Sequence, residues 1–201
     1  MGEVVWGWPS SWGLKYACAT TSGITALHPA LKALGVGPGD EVITMPFTFA
    51  ASATVVLHAD VVPIFADIDR ETLNLDSASV ESEITDTTKA VIVFHLAGYP
   101  AEMDAFMKLA DRYGLYIIED VAQALGAEHR GRRAGSVGHI SAFSFYVTKH
   151  VTGGKGGVYP LVYFGGLYQQ PFEHYGFTKF LSWFRSQSLT ACMARLSRDR
   201  A

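Results

Sequence analysis

The sequence predicts an α/β protein, a three-layer arrangement in which a mainly parallel sheet carries helices on both faces. Three observations lead there. From about Lys15 to Ser144, short β-branched runs alternate with helix-length amphipathic stretches, which is the pattern of βαβ units. The strand candidates are nearly continuous in apolar residues, as strands covered on both faces must be. Apolar residues make up 49% of the 201, enough to enclose one sizeable core.

In chain order, TALHPALKALG (25–35) is the first helix candidate. Its Pro29 costs a helix interior about 3 kcal/mol, so a late start or a kink is expected there. GPGDE (37–41) is a turn that launches the strand candidate EVIT (41–44), and VPIF (62–65), AVIVF (90–94), LYIIE (115–119) and SAFSF (141–145) follow. AEMDAFMKLADRYG (101–114) reads as a helix: Met103, Phe106, Met107, Ala110 and Tyr113 share one side, Asp104 and Lys108 stand at i,i+4, and Gly114 is placed to end it. After Gly157 the text is crowded with aromatics and broken by Pro160, Gly165, Gly166 and Pro171. No period returns until SWFRSQSLTACMARL (182–196), which predicts a helix. The first dozen residues, rich in Trp and Gly, have no period.

Net charge is −3 with both signs mixed along the chain, so no nucleic-acid surface and no polybasic membrane tether is expected. Cys18 and Cys192 are far apart and neither sits in a CxxC pair, which points away from a disulfide framework or a zinc site. The opening MGEVVWGWPSSWG lacks a basic and then apolar leader, and no run reaches the roughly 18 apolar residues of a membrane span. A soluble, cytoplasmic protein is expected, with small molecules or other protein chains as partners.

Ligands of open α/β sheets bind beyond the carboxyl ends of the strands. LYIIEDVAQ closes on Glu119 and Asp120, with Gln123 just beyond, and SAFSFYVTK closes on Ser144 and Lys149. Singly, each has a plain role: Asp120 as an N-cap, Lys149 as a loop lysine reaching water. Together, a carboxylate and an amine at strand ends of one sheet can face a shared ligand. ATTSGITALH (19–28) runs through Ser22 and Gly23 straight into a helix; it is either a simple N-cap by Ser22 or a helix start whose amides hold a phosphate. An anchored phosphate, an amine and an anion for a ring nitrogen are what pyridoxal 5′-phosphate chemistry requires. A lysine must lose its proton to attack an aldehyde, and apolar surroundings such as FSFYV favour neutral amines. His95, at another strand end, is expected to be a satisfied core or rim histidine, and HRGRR (129–133) a solvated turn.

TSGITALHPALKALGVGPGDEVITMPFTFAASA, FADIDRETLNLD, HLAGYPAEMD and IIEDVAQALGAEHRGRRAGSVGHISAFSFYVTKHVTGGKGG closely resemble the DegT/DnrJ/EryC1/StrS family of sugar aminotransferases, enzymes of the type I pyridoxal-phosphate fold. The likeness covers roughly residues 13 to 157 in unbroken order. It implies that Lys149 is the imine-forming lysine and that Asp120 pairs with the pyridine nitrogen. It further places Gln123 near the ring's 3-oxygen, Phe49 on the ring face, and Ser22, Gly23, the amide of Ile24 and Ser144 on the phosphate. The implied reaction moves an amino group from an amino acid, glutamate in most of the family, to a nucleotide-linked keto sugar. A homodimer and a place in polysaccharide or antibiotic-sugar biosynthesis come by analogy.

The sequence departs from the family at three places. SGT reads SGI, so Ile24 lacks a phosphate-binding hydroxyl and the backbone amides and Thr25 are left to compensate. GGEGG reads GGKGG, with Lys155 in place of the acid. Family members are about twice as long. The expectation is therefore a truncated copy: a partial cofactor-binding large domain over 13–157, non-matching ends at 1–12 and 158–201, and no C-terminal small domain. Two other readings stay open. One is an inactive cofactor-binding or dimerising fragment; the other is a related sugar dehydratase, in which histidine replaces the lysine, although here His150 comes one place late. A nicotinamide-binding domain is disfavoured because no GxGxxG follows a strand.

Overall fold

The computed structural model describes residues 16–153 and 157–161. Lys155, the helix expected at 182–196 and both non-matching ends, apart from residues 158–161, lie outside them. The elements in order are β1 (Tyr16–Thr20), α1 (Gly23–Ala33), β2 (Glu41–Thr44), α2 (Ala51–His58), β3 (Val62–Phe65), α3 (Ser77–Ser82) and β4 (Thr88–Phe94). A 3-10 turn at Leu96–Gly98 then leads to α4 (Met103–Tyr113), β5 (Tyr116–Asp120), the short strands β6 (Glu128–His129) and β7 (Arg132–Arg133), β8 (Ile140–Ser144) and β9 (Gly157–Leu161).

One seven-stranded sheet runs β1-β9-β8-β5-β4-β2-β3. From β3 to β8 all neighbours are parallel, while β9 is antiparallel to both β8 and β1. Successive strand residues point to opposite faces, so the apolar runs feed two layers. Val42, Ile92, Ile118 and Ile140 pack with Leu27, Leu31, Val55 and Val56 of α1 and α2. Ile43, Val91, Val93 and Ile117 pack with Met103, Phe106 and Leu109 of α4. The expected α/β architecture, a mainly parallel sheet flanked by helices, is what the chain adopts.

EVIT and VPIF form strands at the residues the sequence marks, but VPIF is an edge strand with Val62 and Phe65 exposed rather than covered on both faces; β5 and β8 are displaced by one residue from their expected bounds. α1 neither starts late nor breaks at Pro29: it runs from Gly23 to Ala33 with the proline inside and buried. Its start is secured by a capping box in which the Ser22 side chain accepts from the Thr25 amide and the Thr25 side chain accepts from the Ser22 amide. In α4, Asp104 turns not to Lys108 but to Arg130 and Arg132. These arginines belong to HRGRR, which is an exposed hairpin held by ion pairs rather than a merely solvated turn. Its two loop residues, Arg130 and Gly131, both have positive φ, 53° and 75°, the twist a two-residue hairpin needs. No helix among the described residues is long and apolar enough to cross a membrane.

Phe106 is fully buried at the centre of the α4 layer. Phe106→Ala is expected to cost about 3–5 kcal/mol of unfolding free energy, measured by urea denaturation.

Candidate active site

β4 and β5 end level with one another, with Phe94 paired to Asp120, while β8, in which Ala142 pairs with Asp120, runs two residues further to Ser144. The last residue of β5 is thereby placed at the centre of the sheet's carboxyl edge. The Asp120 side chain is only 5% exposed. Its Oδ1 accepts from the Ala122 amide at 3.1 Å and its Oδ2 from the Ser52 hydroxyl at 3.3 Å. Burial pushes the Asp120 carboxyl above its ordinary range; the Ala122 amide, the Ser52 hydroxyl, Lys149 and His95 pull the other way without cancelling it. A neighbouring cation would complete what these partners begin.

Glu119, one residue earlier, faces the other side of the sheet. It is fully buried, and its Oε2 lies 3.0 Å from His95 Nε2. The same carboxylate accepts from the amides of Gly135 at 2.8 Å, Val137 at 2.8 Å and Gly138 at 2.5 Å. His95 Nδ1 accepts from the Ala101 amide at 3.0 Å, so this hydrogen-bond network assigns the ring hydrogen to Nε2, where it donates to Glu119. Burial raises the Glu119 carboxyl, but the hydrogen bond from His95, with those from the Gly138 and Gly135 amides, outweighs it and holds the group below its usual range. His95 is thus the satisfied core histidine that its strand-end position suggested.

The N-terminus of α1 abuts the end of β8. A Cβ added at Gly23 would fall 2.7 Å from Ser144 Cβ and 3.0 Å from Ser144 Oγ, so only glycine permits the approach. Among the described residues the amides of Gly23 and Ile24 have no hydrogen-bond partner, as expected of a helix's first turn. With the Ser144 hydroxyl and the positive end of the helix, they form a cradle suited to an anion. Ser22 itself is the N-cap. Thr25 does not compensate for Ile24, because its hydroxyl accepts from the Ser22 amide at 2.8 Å and donates to the Ser22 carbonyl at 3.0 Å.

Lys149 lies in the turn after β8, half-buried, with its amide bonded to the Tyr146 carbonyl at 2.9 Å. Its ammonium has no ion-pair or hydrogen-bond partner among the described residues, although its charge acts on Asp120. The apolar run before it is not an enclosed strand throughout: β8 ends at Ser144, and Tyr146 and Val147 are exposed. Phe49, in the turn between β2 and α2, is 67% exposed and so is not a core aromatic. In the same turn the Thr48 hydroxyl is buried without a partner. The Gln123 Oε1 accepts from the Ala97 amide at 2.9 Å, which leaves its amide nitrogen to donate elsewhere. Asp120 and Ser144 at the ends of β5 and β8, Lys149 just beyond β8 and Gly23 at the start of α1 therefore gather at the carboxyl edge of one sheet. Ser52, which the sequence gives no reason to single out, joins them across 68 positions.

Residues 10–160 match the profile of the DegT/DnrJ/EryC1/StrS aminotransferase family. The spore coat polysaccharide biosynthesis protein SpsC of Bacillus subtilis is 46% identical over 146 residues, which are 73% of this chain and 38% of that protein. GDP-perosamine synthase of Caulobacter vibrioides is 46% identical over 146 residues, 73% of this chain and 39% of the synthase. Among solved structures, the aminotransferase from Psychrobacter cryohalolentis superposes with a TM-score of 0.76 at 45% identity, covering 78% of this chain and 40% of that one. This chain belongs to the DegT/DnrJ/EryC1/StrS aminotransferase family. It spans about two fifths of the length of these relatives.

The contact between Gly23 and Ser144 makes a prediction. Gly23→Ala is expected to lower stability by about 1–3 kcal/mol. Ser144→Gly, which removes the clashing Cβ, should restore part of that loss in the double variant, as read by a double-mutant cycle in urea.

Proposed function

We propose that the described residues hold pyridoxal 5′-phosphate for an aminotransferase that moves an amino group from an amino acid to a nucleotide-linked keto sugar. The observation that carries this reading is the meeting of a buried carboxyl, an amine without a partner and an anion cradle at one edge of the sheet. Family membership implies the cofactor, and the residues fit it. The cradle suits the phosphate, Asp120 suits a protonated ring nitrogen, and Lys149 suits an aldehyde. Residues 13–157 are read as the cofactor-holding part of a larger catalytic unit.

Bound pyridoxal phosphate supplies an aldehyde that bonds amines and a ring that takes up the electrons left when a proton leaves carbon. The chain's own groups do the rest. The amides of Gly23 and Ile24 and the Ser144 hydroxyl bind the phosphate end, beside the cap that Ser22 makes. Asp120 holds a proton at the ring nitrogen, the ionised carboxylate being the form that a cation favours. The Gln123 amide nitrogen would donate to the ring's 3-oxygen, and Phe49 would cover the ring and exclude water. Lys149 Nζ is the amine that would hold the cofactor through its aldehyde and, when free, the base that would take a proton from an amino-acid Cα.

Glutamate is the proposed donor, on the family's general habit. The sugar substrate is supported by the relative named GDP-perosamine synthase, whose name specifies a nucleotide-linked amino sugar. A cytoplasmic homodimer is the assembly proposed. Incubating the purified protein with pyridoxal phosphate, reducing with borohydride and mapping the peptides is expected to place the label on Lys149. A label on any other lysine contradicts the assignment.

A further inference from the structure

One partner of Asp120 has no part in the steps above. Ser52 lies in the first turn of α2 and is fully buried, and its hydroxyl reaches across from that helix to Asp120 Oδ2 at 3.3 Å. The Ala122 amide holds Oδ1 at 3.1 Å from the opposite direction along the chain. Among the described residues each carboxylate oxygen therefore has one donor, and the two donors come from different parts of the chain. Two such anchors fix the rotation of a carboxylate about its last bond, which one anchor does not.

We infer that Ser52 is a positioning residue: its hydroxyl sets the plane of the Asp120 carboxylate and favours the ionised form that holds a proton on a ring nitrogen. This rests on the cofactor reading above. A hydroxyl donating to a carboxylate stabilises the charged form, and in a buried site that help is not replaced by water. The other groups that act on Asp120 are Lys149 from the turn after β8, His95 from the end of β4 and the Ala122 amide. Glu119 is directed to the opposite face. None of these is supplied by α2, so removing the Ser52 hydroxyl leaves the helix side of the carboxylate without a donor.

The test follows the Asp120 carboxyl carbon by NMR against pH in cofactor-free protein, for the wild type, Ser52→Ala and Ser52→Thr. In Ser52→Ala the titration midpoint is expected to lie about one pH unit higher, because a donor to the charged form is lost. Affinity for pyridoxal phosphate should be about tenfold weaker. Ser52→Thr keeps the hydroxyl and should titrate like the wild type. An unmoved midpoint in Ser52→Ala overturns the inference, as does a folded Ser52→Thr that titrates like Ser52→Ala. Should the added methyl unfold Ser52→Thr, the Ser52→Ala midpoint decides alone; should Ser52→Ala itself unfold, Ser52→Cys is read in its place. Wild-type protein that fails to bind pyridoxal phosphate would sink the cofactor reading and leave the titration result standing on its own.

Discussion

A carboxyl buried at the end of β5 without a cation in contact is the constraint on which the site depends. Among the described residues Asp120 has only two donors, a backbone amide and a hydroxyl, and burial still pushes it toward its neutral form. Proteins seldom keep an acid in such a place for stability, since an apolar residue of similar volume would fit at lower cost. In the proposed function a ring nitrogen that carries a proton would reverse the balance, because it would supply the charge that Ser52 and Ala122 do not. The residue next to it shows the contrast. Glu119 is as deeply buried, yet three amides and His95 hold it below its usual range, so two adjacent acids are driven in opposite directions by what each face of the sheet offers.

The sheet turns that local chemistry into a site. The parallel register from β4 through β5 to β8 brings Phe94, Asp120 and Ala142 level, so the residues following each strand emerge along one edge. α1 must come close to β8 for its first-turn amides to reach the same edge, and Gly23 allows this by having no Cβ to meet Ser144. Glu119 fixes the loop 135–138 from behind, which in turn leads into β8. Neighbouring residues thus serve separate ends: Glu119 braces the loop, and Asp120 is the residue proposed to receive the cofactor.

Much of this was legible in the residues. The strands EVIT and VPIF are legible as short β-branched, apolar runs, and Gly114 marks the end of α4 by the left-handed turn it takes, with φ 68°. α2 did not announce itself: ASATVVLH is as β-branched as a strand, and its Val55 and Val56 are buried against α1 and the sheet. Pro29 misled in the other direction, since a secure capping box and a buried face outweigh one lost hydrogen bond. Lys149 and Asp120 stood out as strand-end residues, and the family resemblance gave them roles. Ser52 could not stand out, because a small hydroxyl in a helix acquires meaning only when folding brings Asp120 to it.

The most direct measurement compares cofactor-free wild type with Asp120→Asn by urea denaturation from acid to neutral pH. Because the folded carboxyl titrates above its unfolded value, its ionisation costs stability as pH rises through the carboxyl range and costs nothing below it. The variant should match the wild type in acid, exceed it at neutral pH, and bind pyridoxal phosphate more weakly. A variant that is less stable than the wild type at neutral pH, and that binds the cofactor equally well, would contradict the view that Asp120 is held in waiting for a cation.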